Sequence, residues 1–128
     1  MNIEKIEEIT DEIANDIKEI HNGNEYKLDL HPQDLFYVAR KVQKVVGYVH
    51  ARPTIGHIFA IYVHNDHRGI GPELLGKCIS GLKECGITEV HVGVEPNNNK
   101  GLSFFRAQGF NELNRGQSGF TNFSFKLN

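Results

Sequence analysis

The stretch from His57 to Val94 constrains the fold more than any other part of the chain. His57-Ile58-Phe59-Ala60-Ile61-Tyr62-Val63-His64 is a nearly continuous apolar run of strand length. Such a run predicts a central strand covered on both faces. Asn65 to Gly71 is polar and glycine-bearing, and Pro72-Glu73 leads into Leu74, Leu75, Cys78, Ile79 and Leu82 at helical spacing, up to Gly86. Pro72 suits a first helical turn, where its missing N–H would have no partner. Glu89-Val90-His91-Val92-Gly93-Val94 alternates and is rich in β-branched residues, as a strand requires. Strand, loop, helix, strand is a β-α-β unit, and its two strands must run parallel.

The rest of the chain reads around that unit. Leu35–Arg40 and Val45–Ala51 are strand-like, with Val42-Gln43-Lys44 as the turn between them and a break from Arg52 to Gly56. With the run at His57 they predict a meander of three antiparallel strands. From Thr10 to His21, Ile13, Ala14, Ile17 and Ile20 form one helical stripe. Thr10 or Asp11 can cap that helix, and Gly23 stands where a left-handed stop belongs. The first nine residues read as a short strand entering the helix, and Asn22 to Asp34 reads as a loop. After a break at Pro96 to Asn99, Leu102–Ala107 predicts a short helix ending at Gly109. Phe110–Leu113 and Phe120–Leu127 predict a closing hairpin. The fold class is therefore mixed α/β: a twisted, mostly antiparallel sheet with one parallel pair, flanked by helices. At 128 residues, 1–128 reads as a single domain.

Composition removes several classes of function. Lys plus Arg is 14 and Asp plus Glu is 16, a net charge of −2. No overall basic field invites nucleic acid, so none is expected as a partner. Cys78 and Cys85 are the two cysteines. Seven residues of helix separate their Cα atoms by about 10.5 Å along the axis, beyond disulfide reach. Cys78 falls on the apolar stripe and reads as core, and Cys85 near the helix end gains no activating dipole. The start MNIEKIEEIT lacks the basic then apolar pattern of a signal peptide, and no apolar run nears the ~18 residues of a membrane span. The expectation is a reduced, cytoplasmic protein with no membrane partner. No Cys or His sits at zinc-ligand spacing, so no metal site is expected.

Chemistry enters at Arg68-Gly69-Ile70-Gly71. A helix N-terminus presents unpaired N–H groups and a positive dipole end, and glycines let an anion come close. Arg68 would add a charge-assisted contact. The same residues also suit a plain tight turn. Neither a dinucleotide-binding fingerprint nor a Walker loop is present, because the third glycine and the Gly-Lys-Ser/Thr are missing. A second segment follows the fourth strand of this reading: Asn98, Gly101, Phe105 and Gly109-Phe110.

Together these segments resemble the GNAT family, the GCN5-related N-acetyltransferases. Ile61-Tyr62-Val63 leading to Gly69-Ile70-Gly71 is similar to the family's V-x-P…R/Q-x-x-G-x-G/A stretch. Asn98 to Phe110 is similar to its N-x-x-A-x-x-x-Y-x-x-x-G-F stretch. The resemblance is carried by residues 35–113, with element order alone supporting the N-terminal third. It implies acetyl-CoA as cosubstrate and direct attack of a primary amine on the thioester. It implies that the amides of Ile61 and Val63 hold the acetyl carbonyl and pantetheine. It further implies that Gly69, Ile70 and Gly71 hold the pyrophosphate, with Asn98 and Phe105 along the pantetheine arm.

Three departures accompany it. The loop from Val63 to Gly69 is shorter than the family's usual one, which puts Asp66 at the opening Gln/Arg position and leaves Arg68 to serve. Pro72 removes one amide from the cradle. Phe105 stands where the family often has a tyrosine general acid and cannot donate a proton.

His57 is the nominated base, because imidazole titrates near neutral pH. It could instead simply start a strand and face solvent. His50, His64 and His91 are rivals, and His64 has the opposite strand parity from His57 unless a bulge intervenes. Glu95 could bind the amine or end a strand. Tyr48 and Tyr62 read as core residues with rim hydroxyls. A non-catalytic acyl-CoA-binding module is the alternative function, favoured by Phe105 and Asp66. The acceptor is a small-molecule amine or an exposed amine of a larger substrate. One helix ahead of the meander, where the family usually has two, leaves the acceptor site open and suggests a homodimer.

Overall fold

The computed structural model describes residues 2–23, 28–64, 69–115 and 119–127. Seven strands, β1 (Asn2–Lys5), β2 (Leu35–Lys41), β3 (Lys44–Arg52), β4 (His57–Val63), β5 (Glu89–Val94), β6 (Asn111–Arg115) and β7 (Thr121–Lys126), form one sheet in the order β1-β2-β3-β4-β5-β7-β6. All neighbours are antiparallel except β4 and β5, which run parallel. The helices are α1 (Asp11–Ile20), α2 (Ile70–Glu84) and α3 (Asn99–Ala107). No described helix is long and apolar enough to cross a membrane.

Each face of the sheet has its own core. Leu74, Leu75, Cys78 and Leu82 of α2 and Phe105 of α3 pack on Val49, Ala51, Ile58, Val90, Val92 and Phe123. Ile13 and Ile17 of α1 pack on Phe36, Val38, Val45, Tyr48 and Ala60. The α1 stripe and its Thr10 cap, which accepts from the Ile13 amide, follow the sequence reading. Cys78 is fully buried, and burial pushes its thiol pKa up to about 12.

Three expectations need correction. β4 is central but not covered on both faces: Phe59 and Tyr62 are exposed. The strand buried on both faces is β3, which receives α1 on one side and α2 on the other. α3 begins at Asn99 rather than Leu102, because the Asn98 side chain accepts from the Gly101 amide at 2.9 Å and caps it. Tyr48 has no rim hydroxyl. It is wholly buried, and its hydroxyl lies 2.7 Å from His21 Nε2.

Candidate active site

The β4–β5 ladder is short. Its register pairs are His57 with His91 and Ile58 with Val92, and beyond them the strands diverge. Gly56 makes the closed end possible. It is left-handed (φ +58°), a Cβ there would sit 2.9 Å from the Glu89 carbonyl, and its own carbonyl accepts from the His91 amide at 2.8 Å. At the opening, Ala51 pairs with Ile58 but His50 pairs with Ala60, so Phe59 is an extra residue. Such a bulge inverts the alternation that follows it. The His64 amide donates to Val46 of β3 at 2.8 Å. Counting back by twos, Tyr62 faces β3, and the amides of Ile61 and Val63 face the gap toward β5. No strand partner meets them there among the described residues. Two unpaired amides at a split between strands are a ready cradle for a carbonyl.

The wide end of the split lies beside the start of α2. Gly69 is its left-handed N-cap (φ +83°) with no side-chain hydrogen bond, so the amides of Gly69, Ile70 and Gly71 have no helical acceptor. Pro72 contributes none. Gly71 also admits α3: a Cβ there would lie 3.1 Å from Phe104 Cε1. Asn98 uses its Oδ1 as the α3 cap, which leaves its NH2 to donate. Phe105 is 3% exposed, packed between Phe104, Phe110 and Phe123. Arg68 and Asp66 lie outside the described residues.

At the narrow end, His57 is half-buried, with its ring 5.1 Å from Phe59. Burial pushes its pKa down, and the facing His91 adds to the shift, so the neutral, proton-accepting imidazole prevails near pH 7. His91 lies 3.9 Å from Glu89. His50 is not a free base candidate of the same kind. Its Nε2 is 2.8 Å from Asp34 Oδ2, and both side chains are buried. Asp34 also accepts two bonds from Arg52, each at 2.9 Å, and one from the His31 amide at 3.0 Å. Burial alone would raise the Asp34 carboxyl, but Arg52, the His31 amide and His50 outweigh it and hold it well below the usual carboxylate range. The guanidinium of Arg52 lies 4.7 Å from the Phe59 ring centre. The bulge puts His64 on the same face as His57, but at the far end of β4, beside Asp16, Glu19 and Lys44.

The sequence model of the acetyltransferase (GNAT) family matches residues 3–110. The chain belongs to that family. GNAT acetyltransferases use acetyl-CoA. No curated protein matches the sequence. Among solved structures, the chain is similar to an acetyltransferase from Thermus thermophilus, with TM-score 0.79 and 20% identity over 99% of this chain and 98% of that one. It is also similar to the PaiA N-acetyltransferase of Thermoplasma acidophilum in complex with coenzyme A, at TM-score 0.65 and 21% identity over 88% and 68% of the two chains. A third is a Salmonella typhimurium acetyltransferase with its cofactor acetyl-CoA, at TM-score 0.61 and 21% identity over 74% and 65%.

Within this GNAT chain the structure brings together Ile61, Val63, Gly69, Ile70, Gly71 and His57 along one split. Sequence reading missed Phe59, Phe104 and the Asp34–His50–Arg52 cluster. Phe59 was hidden inside an apolar run, where a bulge leaves no signature. Gly71 was the clue to Phe104, since a glycine inside a helix often marks a close approach. Asp34 and Arg52 sit in breaks of the pattern, and nothing local ties them to each other.

Proposed function

We propose that the chain transfers the acetyl group of acetyl-CoA to a primary amine by direct attack. The observation that carries this reading is the pair of amides at Ile61 and Val63, which meet no strand partner among the described residues where β4 leaves β5 beside the start of α2. Acetyl-CoA supplies an activated thioester. Ile61 and Val63 donate to its carbonyl and pantetheine, and the Gly69, Ile70 and Gly71 amides, with Arg68, hold the pyrophosphate. Asn98 donates its NH2 to the pantetheine arm, and Phe105 backs that arm from the core. His57 takes the proton that the amine must lose before it can attack. A homodimer belongs to this reading, since α1 is the one helix described ahead of the meander.

Calorimetry with acetyl-CoA, followed by thiol release with a panel of amines, tests the proposal. Saturable binding and amine-dependent release support it, and absence of binding removes it. Binding without turnover on any amine would favour a non-catalytic acyl-CoA-binding module. Phe105 is the observation on that side, because it offers no hydroxyl to the leaving thiolate.

A further inference from the structure

One part of the sheet carries no helix among the described residues. α1 packs on Phe36, Val38, Val45, Tyr48 and Ala60. On that same face, toward β7, lies an open strip at the narrow end of the split. Val92 and Val94 point into the core under α2 and α3, so His91 and Gly93 point the other way. A Cβ on Gly93 would lie 3.5 Å from Asn122 Oδ1 and 3.6 Å from Phe120, which places both side chains on the open face. His57 shares that face as the register partner of His91. Phe59 shares it through its ring contacts with His57 and His50 and through the Arg52 guanidinium.

The strip therefore forms a shallow slot, bare at Gly93, with Phe120 beside that glycine and Phe59 on the neighbouring strand β4. Phe59 is 42% exposed and Phe120 37%. Gly93 lies one residue past the last β4–β5 ladder pair, and Phe59 two residues before the Ile61 amide, so the slot opens where the split begins.

Most of its carboxylates already have basic neighbours. Among the described residues of this face, Asp34 is held by Arg52 and His50. Glu89 stands across from Lys126 in register and 3.9 Å from His91 Nε2. Arg52 and Lys126 are the Arg and Lys side chains of this face among the described residues, and His57 is neutral near pH 7. A polycation entering here meets Arg52 and Lys126, and the carboxylates of Asp34, Glu89 and Asp29 already have basic neighbours in Arg52, His91 and His31. Glu95, directly after β5, offers one carboxylate, enough for one ammonium.

We propose that the acceptor is a monoamine on an aromatic or apolar body, seated between Phe59 and Phe120 over Gly93 with its nitrogen between His57 and the Ile61 amide. This rests on the acetyl-transfer reading and names the substrate class of that site. Apolar area removed from water drives such binding, and the aromatic side chains add ring packing. Spermidine-like polyamines and aminoglycosides bind weakly.

The test is an NMR titration of the full-length, isotope-labelled protein, with and without coenzyme A, using phenethylamine and spermidine as probes. Phenethylamine should shift the resonances of Phe59, Gly93 and Phe120 and bind at least about tenfold more tightly than spermidine. Phe120→Ala and Phe59→Leu should each weaken phenethylamine at least about threefold while coenzyme A affinity stays the same. Equal or tighter spermidine binding, shifts centred elsewhere, or indifference to both variants would overturn the proposal. The titration does not depend on turnover. A chain that binds phenethylamine in the slot but releases no thiol supports the slot and counts against acetyl transfer.

Discussion

Asp34 accepts a hydrogen bond from His50 at 2.8 Å in a spot where neither side chain reaches water. With Arg52 bidentate on the same carboxylate, this contact ties the segment ahead of β2 to β3. It does so beside Phe59, at the bulge that opens the split.

Asp34→Asn should therefore destabilise the fold by about 3 kcal/mol, the lower end of the range for breaking a buried pair, because Arg52 keeps some exposure. The pH dependence has a definite sign. The Asp34 pKa is lowered in the native state. Its contribution is complete above the unfolded carboxylate value, near pH 4, and drains as pH falls toward the lowered native value. Urea melts of both proteins should converge as the pH is taken down through that window. A gap that stays constant from pH 7 to the acid limit would contradict the assignment.

Val42 occupies the β2–β3 turn with φ +61° and is 97% exposed. A β-branched residue gains nothing by packing there and bears the left-handed conformation, at about 1–2 kcal/mol. Val42→Asn should raise Tm by several degrees without changing ligand binding. Thermal unfolding by circular dichroism checks it, and an unchanged or lower Tm counts against the turn geometry.

Two helical glycines should respond oppositely to alanine. Gly76 has nothing within 4 Å of a Cβ, so Gly76→Ala gains up to about 1 kcal/mol from the stiffer unfolded chain and better helix propensity. Gly71 meets Phe104 at 3.1 Å, so Gly71→Ala displaces that ring and loses the gain. Gly71→Ala should also weaken acetyl-CoA, and adding Phe104→Leu should return most of the stability. Calorimetry and thermal melts on the four proteins separate these effects.

His57→Gln should lower the rate of amine acetylation by about 10²–10⁴-fold if imidazole takes the proton. In the parent, the acidic limb of kcat/KM should rise through a pKa below the usual 6.5, because burial and the facing His91 both disfavour the charged form. The limb should vanish in the variant while acetyl-CoA affinity holds. A profile unchanged in shape and height would move the role to another group.

How far the sequence reaches can be seen in β4. Its apolar run, the glycine loop and the alternation of Glu89–Val94 fixed the β-α-β unit, because periodicity and chain connectivity are local properties. The same run concealed the bulge at Phe59. A bulge depends on how β3 registers against β4, and no residue in the run announces it. That one extra residue turns the Ile61 and Val63 amides into the split and sets Phe59 on the open face.

The charged cluster makes the same point at longer range. Asp34 and Arg52 are eighteen positions apart, and each reads as a loop residue by itself. Their pairing needs β2 and β3 side by side, which only the folded sheet provides. Phe105 shows the limit in the other direction. Its spacing from Asn98 and Gly109 carried the family resemblance, but its burial among Phe104, Phe110 and Phe123 was decided by how α3 lies on the sheet. The sequence by itself determined the order and direction of the elements, because these follow from patterns along the chain. The tertiary structure alone decided which groups face the split, because that depends on register and packing between residues far apart in sequence.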